Sequence, residues 1–262
     1  MNTGQLRENF LVEDLMVDNA VQLFYSHYDR MIIGGAKPLD ETVELPNHHE
    51  LRAEYFLERR EMGIINVGGT GQIQADAENF SLNKLDCLYL GKGIKKINFK
   101  SNNENTPAVF YLLSAPAHQT HPNRLMKKEE ASPTTIGEAK TANHRTIYKY
   151  IHLEGIKSCQ LVMGLTVLAE GSVWNTMPAH THTRRMEAYF YFDVPDGQRV
   201  IHLMGEPQET RHLIVANHQA ILSAPWSIHA GCGTSNYGFI WGMGGENYVY
   251  TDMDAVAIAE LK

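Results

Sequence analysis

The stretch SVWNTMPAHTHTRRMEAYFYF (172–192) decides how this chain is read. In a β-strand, residues two apart project from the same face. His180 and His182 therefore point together, as a chelating pair. After the short connection 183–186, Glu187 opens a second strand, EAYFYF. There Glu187, Tyr189 and Tyr191 share one face, and Ala188, Phe190 and Phe192 the other. A carboxylate starting that strand can close on the two imidazoles next door. About forty residues on, SAPWSIHAG places His229 after a Pro-bearing turn, as a fourth donor. Three imidazoles and one carboxylate keep zinc, manganese and iron(II) all in play. The spacing predicts one divalent metal per chain, held by His180, His182, Glu187 and His229, with positions left open for substrate oxygens.

Outward from this stretch, both halves of the 262 residues show the same texture. Runs rich in Val, Ile, Tyr, Phe and Leu alternate with Gly, Asn, Asp and Pro: GIINVGG (63–69), LDCLYLGKG (85–93), VFYLLSA (109–115), CQLVMGLTVLAEG (159–171), HLIVANHQAILSAPW (212–226) and YGFIWGM (237–243). Many short strands at this density indicate an all-β sandwich or barrel. Helical periodicity is confined to residues 8–19, a turn at 38–42 and residues 255–261.

The halves also align as an internal repeat. LERREMGIINVGGTGQI (57–73) falls on HTRRMEAYFYFDVPDGQRV (182–200), DCLYLGKG (86–93) on the 220–226 region, and VFYLLSAPAH (109–118) on GFIWGMGGEN (238–247). The polar segment 118–143 is the expected connection, giving domains at 1–130 and 131–262. In the first copy Tyr55 and Leu57 stand where His180 and His182 do, Met62 where Glu187 does and Lys96 where His229 does. Leu and Met cannot hold a borderline ion against water, so the first barrel is expected to be degenerate. The adjacent pair His48-His49 would face opposite ways in a strand and reads as a surface loop.

The bulk numbers exclude several classes. A net charge of −7 without a long basic run argues against nucleic acid. No stretch approaches the ~20 apolar residues of a membrane helix, and the N-terminus lacks a basic region followed by an apolar core. Three scattered cysteines, Cys87, Cys159 and Cys232, are no disulfide framework and point to a reducing, cytoplasmic setting.

The segments 172–192 and ANHQAILSAPWSIHAGCG (216–233) resemble the two motifs of the cupins, the double-stranded β-helix proteins. They depart from the general pattern in having more residues between Gly171 and His180 and between Glu187 and Gly197. A closer resemblance is to the bicupin 4-deoxy-L-threo-5-hexosulose-uronate ketol-isomerase family of pectin breakdown. It is carried by YSHYDRMIIGG (25–35), YFLERREMGIINVGG (55–69), LYLGKG (88–93), residues 172–192, MGEPQETRH (204–212), PWSIHAGCGT (225–234) and FIWGMGGENYVYTDMD (239–254). The resemblance implies two tandem cupin barrels, zinc on the same four residues, a homohexamer and a small uronate substrate. The implied reaction converts 5-dehydro-4-deoxy-D-glucuronate to 3-deoxy-D-glycero-2,5-hexodiulosonate, with a Lewis-acidic ion stabilising an enediolate. A general base must move the proton, and Glu206, His212 and Tyr189 are the candidates. Arg185 or Arg211 would clamp the substrate carboxylate, with Arg30, Arg145 or a residue from a neighbouring subunit next in line. Trp174, Trp226, Trp241 and Tyr248 add aromatic surface near the site. The alternatives are a 5-deoxyglucuronate isomerase, a non-haem iron dioxygenase and a non-catalytic sugar-binding or storage cupin.

Overall fold

The computed structural model describes every residue except Asn247, Tyr248 and Tyr250. It is built of strands, with one α-helix and four 3₁₀ turns among the described residues. The chain forms two compact units, both cupin-type barrels. One holds Asp14–Ser132 and Tyr150–Met163, the other Met1–Glu13, Pro133–Lys149 and Gly164–Lys262. Two segments of these units lie across the expected 130/131 division. The N-terminal helix belongs with the C-terminal unit, and Tyr150–Met163 belongs with the N-terminal one.

In the N-terminal unit a six-stranded sheet runs in the order Arg124–Met126, Cys87–Leu90, Arg60–Asn66, Phe110–Pro116, Ile32–Ala36, Val21–Tyr25. A four-stranded sheet runs Val43–Glu44, Ile97–Ser101, Gly71–Ala75, Glu78–Leu82. The strand Gly71–Ala75 alternates buried and exposed residues, as a sheet with one wet face should. Its inward residues join Phe56, Leu57, Met62, Ile64, Phe99 and Phe110 in one apolar core.

The C-terminal unit repeats this plan. Its large sheet contains, in order, Ala220–Ser223, Arg185–Phe192, Gly238–Gly245 and Val162–Leu168, and its smaller one Trp174–Asn175, Ala230–Gly233, Val200–Glu206 and Glu209–Val215. The repeat holds to the residue. Met62 pairs with Leu90 and Ser114, and Glu187 pairs with Ser223 and Met243. One register position thus carries a thioether in the first barrel and a carboxylate in the second.

The helices differ from expectation. The α-helix is Thr3–Phe10, not 8–19, because Asn2 caps it through a reciprocal bond with Gln5. It ends where Leu11 and Val12 pair with Ile221 and Ala220 as an edge strand, so sheet pairing overrides the apolar periodicity. Residues 38–42 form bends without helix. At the C-terminus only Ile258–Glu260 turns, as 3₁₀, after the strand Asp254–Ala255. His48 and His49 lie at a 3₁₀ turn, with His49 exposed, as a surface loop requires. Cys87 is buried, Cys159 and Cys232 are half-buried, and all three are free thiols. No helix among the described residues is long and apolar enough to cross a membrane.

Candidate metal centre

All eight residues of Arg185–Phe192 are buried, so the charged Arg185 and Glu187 on that strand need partners. Glu187 finds them in histidines. His180 lies in a two-residue strand held by the C-terminal segment, pairing with Ala255 as Thr181 pairs with Asp254. His182 follows just past that strand, and His229 immediately precedes Ala230–Gly233. One donor atom from each of His180, His182, Glu187 and His229 lies within 4.8 Å of every other, the only such group of acid, His or Cys donors among the described residues.

The contacts fix which nitrogens face inward. Glu187 Oε2 is 2.8 Å from His182 Nε2 and 2.9 Å from His229 Nε2. His229 Nε2 is 3.0 Å from His180 Nε2. Behind them, His182 Nδ1 lies 3.1 Å from the Arg185 carbonyl, which can only accept, so Nδ1 carries the hydrogen. Ser223 Oγ is 3.3 Å from His229 Nδ1. With Nδ1 protonated, a neutral His182 turns its Nε2 lone pair toward a carboxylate. A cation between them resolves that opposition, and outer-sphere orientation of this kind is what metal-bound histidines have. Burial works against charge on Glu187, but His229 and His182 outweigh it and hold the carboxyl far below its ordinary range. Burial and His229 push His180 down to about 3, which keeps it neutral. For His182 burial is outweighed by Glu187, and the ring is raised. The donor set fits a divalent ion: convergent and mixed imidazole–carboxylate.

A cavity of about 220 Å³ opens on this cluster, with His180, Glu187, Arg145, Tyr189, Trp241 and Met253 in its wall. Tyr189 is nearly buried, its hydroxyl 2.9 Å from Thr176 Oγ1 and its ring 5.4 Å from that of His229. Trp241 donates from Nε1 to Thr166 Oγ1 at 3.2 Å. Gly164 makes room for it, because a Cβ there would lie 2.3 Å from the indole.

Of the base candidates, only Tyr189 reaches this cavity. Glu206 and His212 are exposed and absent from its wall. They sit on the hairpin of Val200–Glu206 and Glu209–Val215. Leu213 and Val215 face the core there, so the alternation turns His212 outward, and Glu206 stands at the turn beyond the core. Neither expected clamp lines the cavity either. Arg185 is fully buried, bonded to Asp252, to the Val249 carbonyl at 2.8 Å and to Met243 Sδ at 3.0 Å. It ties the C-terminal segment over the ligand loop. Arg211 is half-exposed and paired with Glu209 at 2.6 Å. The arginine in the cavity wall is Arg145, which also donates to the Asn143 carbonyl at 2.7 Å. Trp226 is largely exposed, and Tyr248 lies outside the described residues.

His202 escaped the sequence reading. It is fully buried, its Nδ1 is 2.7 Å from the Tyr191 hydroxyl, and its ring stacks edge-on against Tyr189 at 5.6 Å. Its Nε2 has no hydrogen-bond partner among the described residues, and neither has Asn175 Oδ1. The signal was the alternation in VIHLM (200–204), which puts His202 on the inward face with Val200 and Met204.

A family model described as the KduI/IolB family matches residues 15–258. A 4-deoxy-L-threo-5-hexosulose-uronate ketol-isomerase of Shouchella clausii is 55% identical over 260 residues, covering 99% of this chain and 94% of its own. Among solved structures, an IolB-like protein of Salmonella typhimurium LT2 superposes with a TM-score of 0.76 at 16% identity, covering 95% of this chain and 97% of its own. An oxalate decarboxylase of Lactobacillus farciminis gives 0.62 at 10% identity, covering 91% and 83%. These two likenesses are of fold.

Proposed function

The chain belongs to the KduI/IolB family, and from that premise we propose that it is a 4-deoxy-L-threo-5-hexosulose-uronate ketol-isomerase, an intramolecular oxidoreductase of the aldose–ketose type. The reaction interconverts 5-dehydro-4-deoxy-D-glucuronate and 3-deoxy-D-glycero-2,5-hexodiulosonate. The observation that carries this reading is the convergence of His180, His182, Glu187 and His229 beside a cavity that His180 and Glu187 line together with an arginine and a tyrosine.

A divalent ion in that donor set supplies Lewis acidity toward a carbonyl and its neighbouring hydroxyl. The protein's own groups do the rest. Arg145 offers a guanidinium from the cavity wall to the substrate carboxylate, the role first expected of Arg185 or Arg211. Tyr189, polarised by Thr176, gives and takes a proton at a substrate oxygen near the carbons that exchange oxidation level. Trp241, Phe239 and Met253 form apolar cavity wall, which strengthens the electrostatics of the site by limiting water. Zinc is the ion we assign. The N-terminal barrel we read as metal-free, since Met62 takes the place of Glu187. The setting is uronate breakdown in the cytoplasm, by a homohexamer.

A substrate panel tests the reading. Turnover of 5-dehydro-4-deoxy-D-glucuronate with little of 5-deoxyglucuronate supports it. Preference for 5-deoxyglucuronate, or oxygen consumption by the iron(II)-loaded protein, would replace it with one of the rival chemistries.

A further inference from the structure

The N-terminal barrel has a cavity of its own. It encloses about 240 Å³, and its wall includes Tyr25, Arg30, Glu50, Phe56, Arg59 and Arg60. Arg60 is only 5% exposed. Its Nε donates to Ser114 Oγ at 3.0 Å, and its Nη2 to the carbonyls of Ser114 and Arg30 at 2.7 and 2.8 Å. Nη1 is the nitrogen not taken up, and no carboxylate pairs with this guanidinium among the described residues. Burial lowers its pKa to about 10, with Arg30 adding to the effect. A guanidinium in this setting is still charged at neutral pH, and a buried charge without a counter-ion is costly.

The internal repeat shows what such a position calls for. Arg60 opens the strand Arg60–Asn66 as Arg185 opens Arg185–Phe192. In the C-terminal unit the guanidinium is met by the carboxylate of Asp252. In the N-terminal unit the same place has no acid, but a cavity with two more arginines at its wall. Arg59 donates to the carbonyls of Leu51 and Arg52, both at 2.9 Å, lies 3.9 Å from Glu58 Oε1 through its Nε, and is more than half exposed. Arg30 is exposed at the surface. Glu50, half-exposed beside His49, is the one acid in the wall. Three arginines against Glu50 in the wall, with Glu58 beside Arg59, leave a net positive charge that favours an anion.

We propose that this cavity binds a small carboxylate, which takes with Arg60, Arg30 and Arg59 the place that Asp252 takes with Arg185 in the other barrel. The site is separate from the metal centre and does not depend on the isomerase reading.

The test is calorimetric titration of the full chain with malonate at fixed ionic strength, with malonamide as the neutral control. It is run on the wild type and on Glu187→Gln, the latter shown by elemental analysis to hold no metal. Saturable malonate binding that survives Glu187→Gln, falls tenfold or more in Arg30→Ala and in Arg59→Ala, and is absent for malonamide is the expected result. Circular dichroism and metal content of the two arginine variants should match the wild type, since both side chains are exposed. Absence of saturable binding up to 50 mM (about the ceiling for a weak specific site) would overturn the proposal. So would binding that both arginine variants leave unchanged, or binding that disappears with the metal.

Discussion

His229 and His180 meet Nε2 to Nε2 at 3.0 Å, with Glu187 Oε2 a further 2.9 Å from His229. Two imidazole nitrogens can close face to face when one carries a proton or when a cation lies between them. The second condition makes all three histidines equal partners. His180→Ala, His182→Ala and His229→Ala should therefore each lower metal content and turnover together, and the wild type should hold one ion per chain. Elemental analysis beside activity checks this. Two ions per chain would contradict the reading of a metal-free first barrel, and full turnover in a metal-depleted variant would remove the ion from the mechanism.

Ser223 is the least conspicuous part of the centre. Its hydroxyl lies 3.3 Å from His229 Nδ1, and it pairs in register with Glu187. Ser223→Ala leaves the four donors in place but releases the orientation of one ring. Losing an outer-sphere partner lowers metal affinity by about 10–100-fold in comparable centres. Competition with a chelator should show that loss, while the melting temperature of the metal-loaded protein changes little.

The three arginines considered for the carboxylate should separate cleanly. Arg145→Ala is expected to raise KM for the uronate with metal content unchanged. A lost charge-assisted pair in a desolvated pocket costs about 2–5 kcal/mol, a factor of roughly 30 or more. Arg211→Ala should be close to neutral, because its exposed partner is Glu209. Arg185→Ala should lower thermal stability and metal retention instead, because it leaves Asp252 and the Val249 carbonyl without their buried donor. Steady-state kinetics of the three variants against a neutral analogue lacking the carboxylate settles the assignment.

What could be read from the sequence follows from how local each signal is. Strand parity places His180 and His182 together, and a four-residue connection returns the chain to Glu187, so the centre needed almost no tertiary information. The repeat was legible for a similar reason: Met62 and Glu187 hold the same register because both strands open with an Arg two residues earlier. The cavity wall was legible only in part: Tyr189 stood among the base candidates, but Arg145 stood behind Arg185 and Arg211. Arg185 shares its face with Glu187, but its partner Asp252 lies 67 residues away, and only the fold shows that the guanidinium is already engaged. Arg145 reaches the cavity from a strand earlier in the chain, with no motif to mark it. Glu206 and His212 belong to the same conspicuous segment, MGEPQETRH, yet a hairpin turn and its alternation carry both away from the cavity.

His202 makes stability depend on pH. Burial, with His229 adding to it, moves its pKa from 6.5 to about 3. In the unfolded chain the ring takes up its proton near its ordinary value of about 6.5. Between those values the unfolded chain binds a proton that the native protein does not. Stability should therefore rise with pH across this window and be lost as pH falls through it. At about 1.4 kcal/mol per unit, the effect reaches several kcal/mol at the acid end. His202→Asn cannot take that proton, so its metal-stripped form should show a shallower fall of Tm between pH 6.5 and 4 than the metal-stripped wild type. Parallel slopes would show that another group governs the acid limb.

If the histidine–glutamate cluster is a metal-dependent isomerase centre for a uronate, turnover must follow the metal. The most direct measurement is proton NMR in D2O with freshly prepared 5-dehydro-4-deoxy-D-glucuronate, using protein stripped of metal and then reloaded with one equivalent of zinc. The stripped protein should give no conversion. Reloading should restore formation of 3-deoxy-D-glycero-2,5-hexodiulosonate, and Glu187→Gln treated in the same way should form none. Equal conversion by stripped and reloaded protein, or conversion by Glu187→Gln at the wild-type rate, would contradict this assignment.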